Sequence, residues 1–165
     1  MKKLRSALVL LLVLSLVVSL AACGKKAIDA DDFDEILYEM RFDVYEGSPS
    51  DRSIRKELYA YDDVVYAAYQ LYRNEDAAKD AYDELLQDLK YDEEDGYFTG
   101  DIDESGRGSF RKLVVEGEQE DDWGYVERVY VVVIYVDDVV ISVFAEGNRR
   151  SDKEAVDEVV KALGY

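Results

Sequence analysis

Apolar residues recur along this chain in two rhythms, one of three to four positions and one of two. Phe33, Ile36, Leu37 and Met40 stand at i, i+3, i+4 and i+7 behind Asp29, Asp31 and Asp32. That spacing predicts an amphipathic helix whose opening acids suit the positive first turn. Phe42 to Tyr45 reads as a short strand before the Gly47-Ser48-Pro49-Ser50 turn. Leu58 to Tyr61 and Val64 to Tyr72 are rich in β-branched and aromatic residues, and Asp62-Asp63 between them suits a two-residue turn. Asn74 then offers an N-cap, and Ala78, Ala81, Tyr82, Leu85 and Leu89 follow at helical spacing. Residues 92–108 are acidic and dotted with glycine, and they read as a mobile loop. Phe110 to Val115 is a strand, followed by a turn through Glu120-Asp121-Asp122. Val129 to Val136 and Val139 to Ala145 make a second hairpin about Asp137-Asp138. Ser151-x-x-Glu154 reads as a capping box for a last helix carrying Val156, Val159, Val160 and Leu163, with Gly164 as its stop.

The order is α-βββα-βββα, an α+β fold with a mostly antiparallel sheet packed by helices. Residues 58–89 and 129–163 also read as an internal repeat. Asp62-Asp63-Val64-Val65 lies beside Asp137-Asp138-Val139-Val140, and Ala81 to Leu89 beside Ala155 to Leu163. Convergent hairpin-plus-helix composition gives the same local pattern.

The N-terminus carries an address. Lys2, Lys3 and Arg5 precede an apolar run from Ala7 to Ala22, too short to span a bilayer and right for a signal-peptide core. It ends in Leu20-Ala21-Ala22-Cys23-Gly24, which resembles the lipobox of bacterial lipoproteins. The resemblance implies that Cys23 receives a diacylglycerol thioether and becomes the first mature residue, after cleavage of residues 1–22. Residues 23–30 are then a lipidated cysteine and a short tether, and residues 31–165 a single domain. Two acyl chains anchor stably where one binds only marginally.

Composition narrows the chemistry. There are 20 basic and 38 acidic side chains, a net charge of −18, with no histidine, one cysteine and fourteen tyrosines. Losing residues 1–22 removes three basic groups, leaving 17 against 38 and a net charge of −21. No imidazole is present for a Ser-His-Asp or Cys-His nucleophile system. Zinc sites built on histidine are excluded with it. So acidic a chain has no basic stripe with which to displace phosphate counterions, which argues against nucleic acid.

Four features bear on chemistry. Asp101-Ile102-Asp103-Glu104-Ser105-Gly106 opens like an EF-hand calcium loop, with Asp101, Asp103 and Ser105 as the candidate ligands. The pattern then departs, because Lys112 stands where the bidentate glutamate belongs. Glu93-Glu94-Asp95 and Glu120-Asp121-Asp122 supply carboxylates that would need to face one another across a cleft to catalyse. Arg149-Arg150 precede the last helix, as an anion contact or a local counter-charge. Last is the first hairpin, where the two-residue turn puts Leu58, Ala60, Val65, Ala67, Tyr69 and Leu71 on one face. The other face then holds Tyr59, Tyr61, Val64, Tyr66, Ala68, Gln70 and Tyr72. The matching face of the second hairpin is Ile134, Val136, Val139, Ile141 and Val143, all aliphatic. Tyr59, Tyr61, Tyr66 and Tyr72 are therefore the binding-face candidates, since tyrosine combines rigid area with a polar tip.

The mature chain resembles the small lipoproteins of unknown function common in Gram-positive bacteria. The shared features are the lipobox, a short tether, an Asp-rich opening helix at Ala30-Asp31-Asp32-Phe33, and the ending Leu163-Gly164-Tyr165. The resemblance implies an extracytoplasmic, lipid-anchored location on the cell membrane and carries only Cys23 as a functional residue. Two function classes stand: a binding module for an envelope protein or peptide, and a small-ligand or divalent-cation binder. A carboxylate-based envelope enzyme comes third. No cofactor is expected beyond the covalent lipid.

Overall fold

The computed structural model describes residues 25–49, 51–120 and 123–165. Residues 1–24 lie outside them, so the signal peptide, the lipobox and Cys23 do too. Seven antiparallel strands form one sheet: β1 (Asp43–Glu46), β2 (Ile54–Tyr61), β3 (Val65–Tyr72), β4 (Phe98–Arg107), β5 (Phe110–Glu120), β6 (Val126–Val136) and β7 (Val139–Glu146). Their order is β1-β2-β3-β7-β6-β5-β4, so the first three strands meet the last four at the β3–β7 pair. Helices α1 (Ala30–Glu39), α2 (Glu75–Asp95) and α3 (Arg150–Ala162) complete an α+β fold.

Helices cover both faces. Phe33 and Leu37 of α1 and Val156, Val159 and Val160 of α3 pack on Val65, Ala67, Tyr69, Ile134 and Ile141. On the other face Ala78, Tyr82 and Leu86 of α2 pack on Phe98, Leu113, Val115, Val133 and Tyr135. Strand β6 is covered from both sides, which is why Val132 to Val136 is an unbroken apolar run without alternation. Burying each such side chain contributes about 1.5–3 kcal/mol.

The caps follow short polar side chains. Asp29 Oδ1 accepts from the amides of Asp31 and Asp32 at 3.0 and 2.8 Å, and Asn74 Oδ1 from that of Ala77 at 2.9 Å. Helix α3 opens one residue before Ser151, and the expected Ser151/Glu154 box does not form. Asp152 Oδ2 instead accepts from the Arg149 amide at 3.0 Å, while Glu154 is paired with Arg150.

Three other expectations are corrected. Residues 92–108 are not a loop: α2 continues to Asp95 and β4 occupies Phe98–Arg107, adding a fourth strand between α2 and α3. The first hairpin turn is longer than two residues. Asp62 Oδ1 accepts from the amides of Val64 and Val65 at 2.7 and 2.6 Å, so the ladder closes at Tyr61 opposite Tyr66. The second hairpin does turn on two residues, with Val136 opposite Val139 and a left-handed φ of 52° at Asp137.

The repeat is the third. Hairpin followed by helix does occur twice, with an Asp-Asp pair at each turn. Yet the hairpins lie in the sheet in opposite orders, β2-β3 then β7-β6, and their helices lie on opposite faces. With β3 and β7 antiparallel, the two units are of opposite hand. No rotation brings both hairpins and both helices into register, so 58–89 and 129–163 do not superpose as duplicates.

Candidate functional site

Helix α2 leaves the end of β3 and crosses toward β4, packing on the β4–β5–β6 side of its face. Beyond the Tyr72 end of β3 and the Val140 end of β7, which α2 also covers, the β1–β2–β3 side of that same face has no helix packed on it among the described residues. The longer turn moves the register by two residues, which preserves the alternation of faces. Tyr59, Tyr61 and Tyr66 therefore stand together on the uncovered part.

They are joined by two rings that sequence reasoning missed. Tyr45 of β1 lies opposite Tyr59, and Phe144 of β7 lies opposite Tyr66. Ring centroids are 5.5 Å apart for Tyr45–Tyr59, 6.2 Å for Tyr45–Tyr61, 6.3 Å for Tyr61–Tyr66 and 5.2 Å for Tyr66–Phe144. Five rings thus run as one ribbon across four strands. Tyr45, Tyr61 and Tyr66 are 53%, 41% and 39% exposed, and Tyr59 and Phe144 are half-buried. Three of the four contacts are stacked, so ring faces are turned largely to one another, with edges and hydroxyls left for solvent. Each such pair contributes about 0.5–1.5 kcal/mol beyond its buried area. The signal available in the sequence was the β1 expectation itself: a strand at Phe42–Tyr45 must bring Tyr45 beside the β2 tyrosines.

Tyr72 is corrected: it is only 5% exposed, tucked under α2 against Ala78 and Tyr82. Its hydroxyl donates to Gln70 Oε1 at 3.1 Å, and Gln70 Nε2 donates to Glu57 Oε1 at 2.8 Å. Glu57, at 6% exposure, is the buried charged residue of the described chain. Burial, and then the neighbouring Glu57 carboxylate, push the Tyr59 phenol up to about 12. A polar chain Tyr72–Gln70–Glu57 thus runs on the same face as the ribbon. The comparison between hairpins also changes. Leu71, Tyr69 and Ala67 pair with Val139, Ile141 and Val143, so the aliphatic run of the second hairpin shares the core face and does not match the tyrosine face.

At the far end of β3 and β7 the ribbon borders a cleft of about 570 Å³ lined by Asp63, Tyr66, Glu127, Arg128, Arg149 and Asp152. Both signs of charge meet there. Of the two cleft arginines, Arg128 is paired with Glu118 at 3.1 Å, while Arg150, outside the cleft, is paired with Glu154 at 2.7 Å.

The calcium candidate does not hold its shape. Asp101, Asp103 and Ser105 lie along the edge strand β4, hydrogen-bonded to β5 from Phe98 to Arg107. Alternate residues of an extended strand stand side by side on one face about 7 Å apart, where calcium ligands must converge on one point. Among the described residues no three His, Cys, Asp or Glu side chains are grouped to hold a metal ion. Glu93, Glu94 and Asp95 end α2 on the exposed surface, and Asp121 and Asp122 lie outside the described residues.

No family model matches the sequence, and no curated protein does. A crystal structure of a GTP-binding regulator from Thermotoga maritima is similar at a TM-score of 0.47 and 15% identity, over 85% of this chain and 87% of that one. At that depth the likeness says nothing of function. No helix among the described residues is long and apolar enough to cross a membrane.

Proposed function

We propose that this is a lipid-anchored, extracytoplasmic lipoprotein that acts as a binding module, docking an envelope protein or peptide on its aromatic ribbon. The ribbon carries the reading. Tyrosine is enriched at protein interfaces because a large ring is ordered there at little entropic cost. A polypeptide suits this ribbon better than a flat sugar. Sugars stack on open ring faces, whereas these faces are largely taken by neighbouring rings. The outward edges and hydroxyls complement carbonyls and apolar side chains. The anchor rests on the lipobox resemblance at Cys23, and no catalytic residue or cofactor is part of the proposal.

The test is capture of a partner from envelope extracts by full-length protein under crosslinking. Tyr61→Ser/Tyr66→Ser should stay folded and lose the captured species. Tyr38→Ser, on α1 and 75% exposed away from the ribbon, should keep it. Equal capture by both variants would overturn the ribbon as the docking surface.

A further inference from the structure

We propose that Tyr165 clamps the residues next to Cys23. The domain is then held on the bilayer with its Phe110 and Asp137–Asp138 end inward and its Tyr61–Tyr66 end outward. This rests on the lipid anchor at Cys23. A seven-residue tether free in solution would wander over roughly 15 Å. Here the tether is not free. The Ile28 amide donates to Tyr165 Oη at 3.0 Å, and that hydroxyl donates onward to the Lys26 carbonyl at 3.1 Å. Lys25 Nζ donates to the Gly164 carbonyl at 2.7 Å and lies over the Phe110 and Tyr165 rings, 5.8 and 5.6 Å from their centroids. Those two rings stack at 6.2 Å, and Tyr69 Oη donates to the Ile28 carbonyl at 3.3 Å. One terminal side chain thus ties both edges of the tether to the fold. Between Lys25 and the lipidated residue stands only Gly24, a reach of about 7 Å even when extended.

The clamp fixes which end lies against the lipid. Phe110 pairs with Val136, and the Asp137 amide donates to the Ser109 carbonyl at 2.9 Å, so Lys25 sits at the Asp137–Asp138 end of the sheet. Strand β3 runs from Val65, beside the Tyr61–Tyr66 pair, to Tyr72, whose amide donates to the Asp138 carbonyl. Eight strand residues cover roughly 26 Å. The exposed end of the ribbon is therefore carried about that far above the anchor, clear of headgroups. Lys25 and Lys26 place positive charge where the chain enters the membrane, a local exception on an acidic molecule. Phe110 and Tyr165 place aromatic rings at the depth such rings favour.

Full-length lipidated protein in vesicles containing a headgroup-labelled acceptor lipid tests this. With Cys23 acylated, Arg107→Cys and Asp63→Cys each give a single site for a donor dye, at the inner and outer ends respectively. Transfer from position 107 should exceed that from 63 several-fold. Tyr165→Ala should bring the two values together, and equal transfer with Tyr165 intact would overturn the orientation. Hydrogen exchange of the Ile28 amide reads the clamp without the membrane. It should be slow, and several-fold faster in Tyr165→Phe, which keeps the ring stack and loses both hydroxyl bonds. Fast exchange with Tyr165 intact would overturn the clamp. Failure to float with the vesicles would instead count against the anchor.

Discussion

The Gln70 amide donates to the Glu57 carboxylate at 2.8 Å across the β2–β3 pair, and Gln70 is the acceptor for the Tyr72 hydroxyl. Gln70, half-buried itself, is thus the middle link between two buried side chains. Gln70→Leu takes the amide donor from Glu57, which keeps only the neighbouring Tyr59 hydroxyl, and leaves Tyr72 without its acceptor. Each orphaned buried group costs about 1–3 kcal/mol. Urea unfolding should show a loss of that order for the single change, and a smaller one for Glu57→Leu/Gln70→Leu. A double-mutant loss equal to the sum of the Gln70→Leu and Glu57→Leu losses would show that the pair acts independently.

Tyr82 points the other way. Its hydroxyl is buried with no hydrogen bond of good geometry, although burial and the nearby Glu104 carboxylate hold the phenol protonated. The Arg111 guanidinium, paired with Asp83 and Glu104, lies 4.5 Å from the centre of the ring. Tyr82→Phe keeps the ring and that contact. Stability should be unchanged or rise by up to about 1 kcal/mol, because an unmade bond is removed with its desolvation cost. A fall of more than about 1 kcal/mol in the same titration would mean the hydroxyl has a working partner.

Alkali should unfold this protein cooperatively. Burial pushes Tyr69, Tyr72, Tyr130 and Tyr135 up to about 12, above the ordinary value of about 10. A raised folded pKa gives stability that is whole below the unfolded pKa and is lost as pH climbs toward the folded one. Each unit is worth about 1.4 kcal/mol per group, so four tyrosines together rival the about 5–15 kcal/mol of a typical domain. The tyrosinate absorbance of these four buried rings, followed as the slow phase after a jump to alkaline pH, should therefore appear together with the loss of circular dichroism. Buried-ring ionisation with the circular dichroism unchanged would contradict this.

Much of the frame was legible because local rules and tertiary packing agreed. Asp29 and Asn74 cap their helices as their side chains suggest, and Gly164 ends the last one with a φ of 90°. Strand β4 was not legible. Its acids and glycines have low β-propensity, and only pairing along the whole of β5 makes it a strand. The binding face was half legible. Parity put Tyr59, Tyr61 and Tyr66 together even with the turn two residues out, whereas the burial of Tyr72 depends on where α2 goes. The hand of the two hairpin–helix units is set by sheet order, which similarity between segments does not encode.

Gly117 is where close approach decides. A Cβ there would stand 2.7 Å from the Phe98 ring, against the neighbouring β4 backbone. Phe98 is buried under α2, so the ring has little room to move. Gly117→Val should cost about 1–3 kcal/mol through overpacking. Gly108→Ala supplies the contrast: a turn residue with open space around it, whose cost comes from its φ of 67° alone. A thermal melt that ranks Gly108→Ala as the worse change would contradict the packing argument.

Cys23→Ser tests the address. The variant should leave the membrane fraction or stay unprocessed, and palmitate labelling should vanish. Unchanged labelling and fractionation would end the lipoprotein reading.

The β3–β7 pair at the middle of the sheet joins segments far apart in the chain, and β7 follows every other strand in sequence. A nascent chain lacking β7 can form β1-β2-β3 and β4-β5-β6, but the β3 and β6 edges stay open and nothing joins them. Closing so large a loop is slow, and it comes last. The sheet therefore cannot be completed until β7 is available, which on the proposed lipoprotein reading leaves its two halves unjoined during export.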